Sequence, residues 1–146
     1  MCNAWLCDLN PPRQHRGGKM IKLLIVDDQE DIRQLLRMAT EGVAEEVHEA
    51  CDGPQALALW EQKKPDIILL DVMMPGGMSG FDVCRAIRAR GGPQPKIIIV
   101  SARERLDHHY EGFEAGADEY LIKPFNLMAL VKIVKEMAQA LQRQAH

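Results

Sequence analysis

Two hydrophobic patterns alternate along the chain. Ile21 to Val26 is apolar apart from Lys22, and the unbroken runs Ile67-Ile68-Leu69-Leu70 and Ile97-Ile98-Ile99-Val100 follow later. A run with no polar alternation is how a strand covered on both faces reads. Val47 to Cys51 is shorter and half polar, which suits a strand near a sheet edge, and Glu119 to Ile122 is the fifth such stretch. Between these stretches the spacing of apolar residues changes to that of a helix. From Gln29 onward, Ile32, Leu35, Leu36 and Ala39 share one face, and Gly42 closes the segment. Asp52-Gly53-Pro54 opens the next helix, Ala56, Leu57 and Trp60 form its face, and Lys63-Lys64-Pro65 stops it. Ser79 with Asp82 has the capping-box spacing, followed by Phe81, Cys84 and Ile87 or Arg88. A fourth helix, Arg103 to Ala115, would present Leu106, Tyr110 and Phe113 before Gly116. Asn126 is a suitable N-cap for the last, whose face is Leu127, Leu130, Val131, Val134, Met137 or Ala138, and Leu141.

Strands that alternate with helices connect through right-handed crossovers into a parallel sheet. Five units are too few for a barrel of eight. The expected fold is therefore α/β, an open doubly wound five-stranded parallel sheet covered on both faces.

In such a sheet every strand points its carboxyl end at the same edge, where ligands bind. The residues ending the strands here are Asp27 and Asp28, Asp71, Ser101 and Lys123. Asp71 is followed by Val72-Met73-Met74-Pro75-Gly76-Gly77, and Pro-Gly-Gly cannot continue a strand, so its side chain stands at the mouth of a loop. Carboxylates gathered at one place repel each other unless something positive joins them. Lys123 supplies one charge. A hard divalent cation supplies more, and Mg2+ is held by one or two carboxylates, other oxygens and a substrate phosphate. Asp71, one or both of Asp27 and Asp28, and a loop carbonyl beyond Asp71 would suit it. A carboxylate can itself accept a phosphoryl group. No GxxxxGK[ST] loop is present for a nucleotide.

Composition narrows the setting. The chain has 146 residues, a formal charge of -3 and four cysteines at 2, 7, 51 and 84. That charge gives no reason to expect direct nucleic-acid binding. The cysteines have neither zinc nor disulfide spacing, and Cys51 and Cys84 read as small buried apolar residues. No stretch approaches the ~18 apolar residues of a membrane span. Residues 1–19 lack periodicity and carry Pro11-Pro12 and Gly17-Gly18. They are expected to lie outside the fold, either disordered or upstream of a true start at Met20, with the folded domain over 20–146. A cytoplasmic protein is expected.

From Met20 to about Leu141 the sequence resembles the receiver domains of two-component response regulators. LLIVDD ending at Asp28, ILLDVMMP from Ile68, IIIVSA from Ile97 and EAGADEYLIKPF from Glu114 carry the resemblance. It implies a flavodoxin-like (β/α)5 fold with strand order 2-1-3-4-5, as in the chemotaxis member of that family. It implies Asp71 as phosphoacceptor, with Mg2+ held by Asp27, Asp28, Asp71 and the backbone carbonyl of Met73. Ser101 and Lys123 would stabilise the phosphoryl group, Ser101 and Tyr120 would form a switch pair, and Lys123-Pro124 would be a cis peptide. The implied partners are a sensor histidine kinase or histidine phosphotransfer protein, and a downstream protein met through the face of helix 4, strand 5 and helix 5. A monomer or weak dimer is expected.

Only Gln142 to His146 follow Leu141, so the expectation is a stand-alone switch rather than an enzyme. A phosphorelay shuttle is the alternative within the family. A haloacid-dehalogenase-like phosphatase would also use a strand-end aspartate, Mg2+ and a lysine. It needs an acid/base aspartate two residues after the nucleophile, where this chain has Met73. Two departures from the receiver pattern concern the site. The loop Met74 to Gly80 is one residue longer than usual with Ser79 in place of a common Asp, and Met73 and Arg103 occupy positions that vary and tune dephosphorylation.

Overall fold

A computed structural model describes residues 20–102 and 106–144 of the chain. Residues 1–19, Arg103 and the side chains of Leu106, His108 and His109 lie outside the described part. Five strands, β1 (Lys22–Val26), β2 (Glu46–Ala50), β3 (Ile67–Asp71), β4 (Lys96–Ser101) and β5 (Glu119–Ile122), form one parallel sheet in the order β2-β1-β3-β4-β5. This is the doubly wound order that the family resemblance implied. Helices α1 (Glu30–Thr40), α2 (Gly53–Lys63), α3 (Gly80–Arg90), α4 (Leu106–Glu114) and α5 (Leu127–Gln144) alternate with the strands.

The strands alternate between two cores, because successive side chains leave a strand on opposite faces. Leu24, Val26, Ile68, Leu70, Ile97 and Ile99 pack with Ala56 and Trp60 of α2 and Phe81, Cys84 and Ile87 of α3. Leu23, Ile25, Ile67, Leu69, Ile98 and Val100 pack on the other face with Leu36 of α1 and Leu130, Val134 and Ala138 of α5. All five residues of β3 are buried, which is what its unbroken apolar run required. Each fully buried Ile or Leu contributes about 1.5–3 kcal/mol relative to exposure, so the central strands rigidly fix the edge where they end.

Local signals set the helix ends. The Asp52 side chain accepts from the Gln55 backbone N–H at 2.8 Å, and Lys64 closes α2 at φ 52°. Ser79 and Asp82 form a reciprocal capping box at the start of α3. Asn126 Oδ1 accepts from the N–H groups of Met128 and Ala129.

Two readings of the sequence need correction, and one open alternative is settled. Cys51 is exposed, because β2 ends one residue earlier and the turn into α2 begins there. On α3 the inward residue is Ile87, while Arg88 hydrogen-bonds the carbonyls of Pro95 and Gly116 and pairs with Asp118. On α4, Tyr110 is 70% and Phe113 50% exposed. That helix meets the sheet through the small residues Gly112 and, just beyond its end, Ala115, both buried, and so turns its aromatic residues outward.

Candidate functional site

The carboxyl ends of β1, β3 and β5 bring together residues far apart in the sequence. Asp27 and Asp28 follow β1, Asp71 ends β3, and Lys123 follows β5. Carboxylate oxygens of Asp27, Asp28 and Asp71 all lie within 4.8 Å of one another, with Asp27 and Asp71 buried and Asp28 exposed. Lys123 Nζ donates to Asp27 Oδ2 at 3.0 Å and to Asp71 Oδ1 at 3.4 Å. The site opens into a cleft of about 760 Å³ whose lining includes Asp28, Asp71, Met73, Phe81, Glu111 and Lys123.

Backbone contacts hold each group. Asp27 is fixed by its own Oδ1, which accepts from the Gln29 N–H at 2.9 Å, and by its carbonyl, which accepts from Arg33 Nη1 at 2.8 Å. Lys123 N–H donates to the Ser101 carbonyl at 2.6 Å, so the end of β4 anchors the lysine backbone. The Lys123-Pro124 bond is cis. Ser101 is fully buried. In register, Ile99 stands beside Tyr120 and Ser101 beside Ile122, so Ser101 and Tyr120 lie on adjacent strands of one sheet face. Tyr120 is 7% exposed and packs in the core that contains Phe81.

The charges are not balanced. Burial, then the negative charge of Asp27, pushes the Asp71 carboxyl up to about 6 from 3.8, against the pull of Lys123, with a smaller push from Asp28. Burial acts to lower Lys123, but the hydrogen bond to Asp27 and the charges of Asp71 and Asp27 outweigh it and hold the ammonium above its usual value. One ammonium thus faces three carboxylates, and burial beside them makes the Asp71 carboxylate costly to ionise.

The loop after Asp71 is shaped by glycine. Gly76 and Gly77 take φ of +92° and +78°, a region that residues with a Cβ rarely adopt. Gly80 donates its N–H to the Val72 carbonyl at 3.0 Å, and a Cβ there would run into the carbonyl oxygen of Asp71. Gly80→Ala is therefore expected to cost about 1–3 kcal/mol through overpacking at the site itself. Urea unfolding of the variant measures this, and an unchanged midpoint would contradict it.

The sequence reading did not identify three contributors to the site. Arg33 on the Asp27 carbonyl, Gly80 under the Asp71 backbone, and Glu111 on the cleft wall all depend on how helices approach the sheet edge. Only Gly80 left a trace in the sequence, as the last residue of a glycine-rich loop.

Residues 23–135 match the response regulator receiver domain. The chain belongs to that family. It is 41% identical over 116 residues to the transcriptional regulatory protein ResD of Bacillus subtilis, covering 80% of this chain and 47% of ResD. It is 38% identical over 123 residues to the response regulator MprA of Mycobacterium sp. (strain KMS), covering 84% of this chain and 51% of MprA. The chain thus spans about half the length of these curated relatives. The chemotaxis protein CheY4 of Vibrio cholerae superposes with a TM-score of 0.74 at 33% identity, over 82% of this chain and 99% of CheY4.

Receiver domains are phosphoacceptor switches of two-component systems, and they bind Mg2+ at an acidic pocket. The donor set of this receiver fits that ion. Its acidic cluster offers only hard oxygen ligands, and a divalent cation there would favour the ionised form of the Asp71 carboxyl, which burial first and the charges of Asp27 and Asp28 after it disfavour. Among the described residues no helix is long and apolar enough to cross a membrane.

Proposed function

We propose that this receiver takes a phosphoryl group onto Asp71 from the phosphohistidine of a sensor histidine kinase or phosphotransfer protein, and signals in the cytoplasm through altered protein contacts. One observation carries the reading most strongly. A buried strand-end carboxylate opens into a cleft while Lys123 reaches it and Asp27 together.

In this reading an Asp71 carboxylate oxygen attacks phosphorus in line with the donor bond. A P–O bond forms and the P–N bond breaks. Its electron pair stays on the imidazole nitrogen, which takes a proton from solvent. Asp71 must be ionised to attack, and with its carboxyl at about 6 it is so at neutral pH. Lys123 stands where negative charge grows on the equatorial oxygens, the placement that lowers such barriers most. The Ser101 hydroxyl would donate to the phosphoryl group, and Tyr120 would report its presence from the neighbouring strand. Asp27, Asp28, Asp71 and the Met73 carbonyl would hold Mg2+, which when bound supplies positive charge for the transferring phosphate.

Output is assigned to the face of α4, β5 and α5. The exposed Tyr110, Phe113 and Met128 give it apolar anchors of the kind that protein interfaces use. Phosphorylation would shift the population between two forms of that face.

Treatment with a small phosphodonor and Mg2+, followed by peptide mass spectrometry, tests the reading. A single phosphoryl adduct on the peptide containing Asp71, absent when Mg2+ is chelated, is the expected result. Sustained turnover of a free phosphate ester without such an adduct would point to phosphatase chemistry instead.

A further inference from the structure

Gly112 lies inside α4, where glycine is the poorest helix former apart from proline. Its backbone is not in the left-handed region, so the chain path alone does not call for glycine. The reason lies in what it faces. A Cβ built on Gly112 would stand 2.8 Å from Cδ2 and 3.2 Å from Cε2 of Tyr120, and 3.5 Å from Cε1 of Phe81. The first distance is too short for two carbon atoms, and an aromatic ring in a close-packed core cannot bend aside. The ring must shift as a whole or the helix must lift off. Phe81, the other wall of this seat, also lines the cleft that holds Asp71. Gly112, the Tyr120 ring and Phe81 therefore connect α4 to the floor of the acidic site.

We propose that Gly112 is a positioning residue: its missing Cβ makes the seat that holds the Tyr120 ring inward beneath α4. The seat couples the acidic cleft to the outer face of α4, because Tyr110 and Phe113 stand on the same helix. A side chain at position 112 pushes the ring out or lifts the helix, and either movement changes that outer face. The functional half rests on the phosphoacceptor reading; the seat itself does not.

Gly112→Ala in the full chain tests the proposal. For helix stability alone the substitution is favourable and would raise Tm by about 3 °C. The seat predicts something different. In the unliganded protein, nuclear Overhauser contacts between the Tyr120 and Phe81 rings weaken or vanish. The midpoint of a beryllofluoride titration with Mg2+, read from the same spectra, rises about tenfold, within the usual span of site-to-site coupling. In the Tyr120→Ala background the same substitution leaves the midpoint within about twofold and raises Tm as an ordinary helix substitution does. Ring contacts and midpoint both unchanged by Gly112→Ala would overturn the proposal, and so would an equal midpoint shift in the Tyr120→Ala background. If Gly112→Ala does not fold, folding restored by adding Tyr120→Ala supports the clash, and failure of both overturns it. A wild-type chain that ignores beryllofluoride sinks the phosphoacceptor reading, while the ring contacts of the unliganded pair still decide the seat.

Discussion

Asp71→Asn is expected to be more stable than the wild-type chain by about 1–3 kcal/mol at about pH 7.5 without Mg2+, and to take up no phosphoryl group. The sign follows from linkage. The folded-state carboxyl is raised to about 6 from 3.8, so the fold binds its proton more tightly than the unfolded chain does. Below the unfolded value both states are protonated and the wild type carries no penalty. As pH rises toward 6 the unfolded chain ionises first, and stability falls. Above 6 the full penalty remains, about 3 kcal/mol at most for a shift of roughly two units. The lost contact with Lys123 reduces the gain, although Lys123 keeps Asp27 at 3.0 Å. Urea unfolding at about pH 4 and about pH 7.5 in chelator measures the difference. A small gap at the lower pH and a full gap at the higher is expected. A variant less stable than wild type at about pH 7.5 would show that the buried charge is better solvated than its surroundings indicate.

The same arrangement that raises the Asp71 carboxyl attracts cations. Three carboxylates and one ammonium form a cluster that favours any incoming positive charge. Mg2+ that binds the folded chain and not the unfolded one will add stability by mass action. The acidic cluster is therefore poorly optimised for folding alone, as functional sites commonly are.

Much of this was legible in the sequence because a parallel sheet converts a one-dimensional fact into a three-dimensional one. Once β1, β3 and β5 were read as parallel, their terminal residues Asp27, Asp28, Asp71 and Lys123 had to share an edge. The runs of β3 and β4 carry no alternation, and both proved covered on two faces. What stayed hidden depends on how closely helices approach. Tyr110 and Phe113 have the spacing of a buried face, yet α4 meets the sheet through Gly112 and Ala115, and apolar spacing cannot weigh two small residues against two large ones. Arg88 stands one residue beyond the inward Ile87, and its long side chain carries the guanidinium to Asp118 and the Pro95 carbonyl. Arg33 reaches the Asp27 carbonyl across a helix turn, and no motif marks that contact.

Removing the ammonium should have the opposite effect to removing Asp71. Lys123→Met keeps an unbranched apolar stem and deletes the charge. It is expected to cost about 1–3 kcal/mol at about pH 7.5 in chelator, because removing the half-buried ammonium leaves the buried Asp27 and Asp71 uncompensated, with solvent screening part of the loss. Lys123 is raised from 10.5 in the fold, so its own contribution is fully present below that value and is lost only as pH climbs through the raised one. The pH dependence near neutrality therefore comes from the Asp71 carboxyl. Without Lys123 the Asp71 carboxyl moves further up, and the loss should shrink toward about pH 4, where protonation relieves the repulsion. Combined with Asp71→Asn, the same substitution should cost less, since one of its two carboxylate partners is already neutral. Uptake from a small phosphodonor should slow by about 10²–10³, the usual effect of deleting one group that faces developing negative charge. Urea unfolding with and without chelator, together with single-turnover phosphorylation, measures both effects. A lysine worth less than about 1 kcal/mol, with unchanged phosphorylation, would mean that the 3.0 and 3.4 Å contacts are exchanged freely for water. The site would then rely on the metal alone for its positive charge.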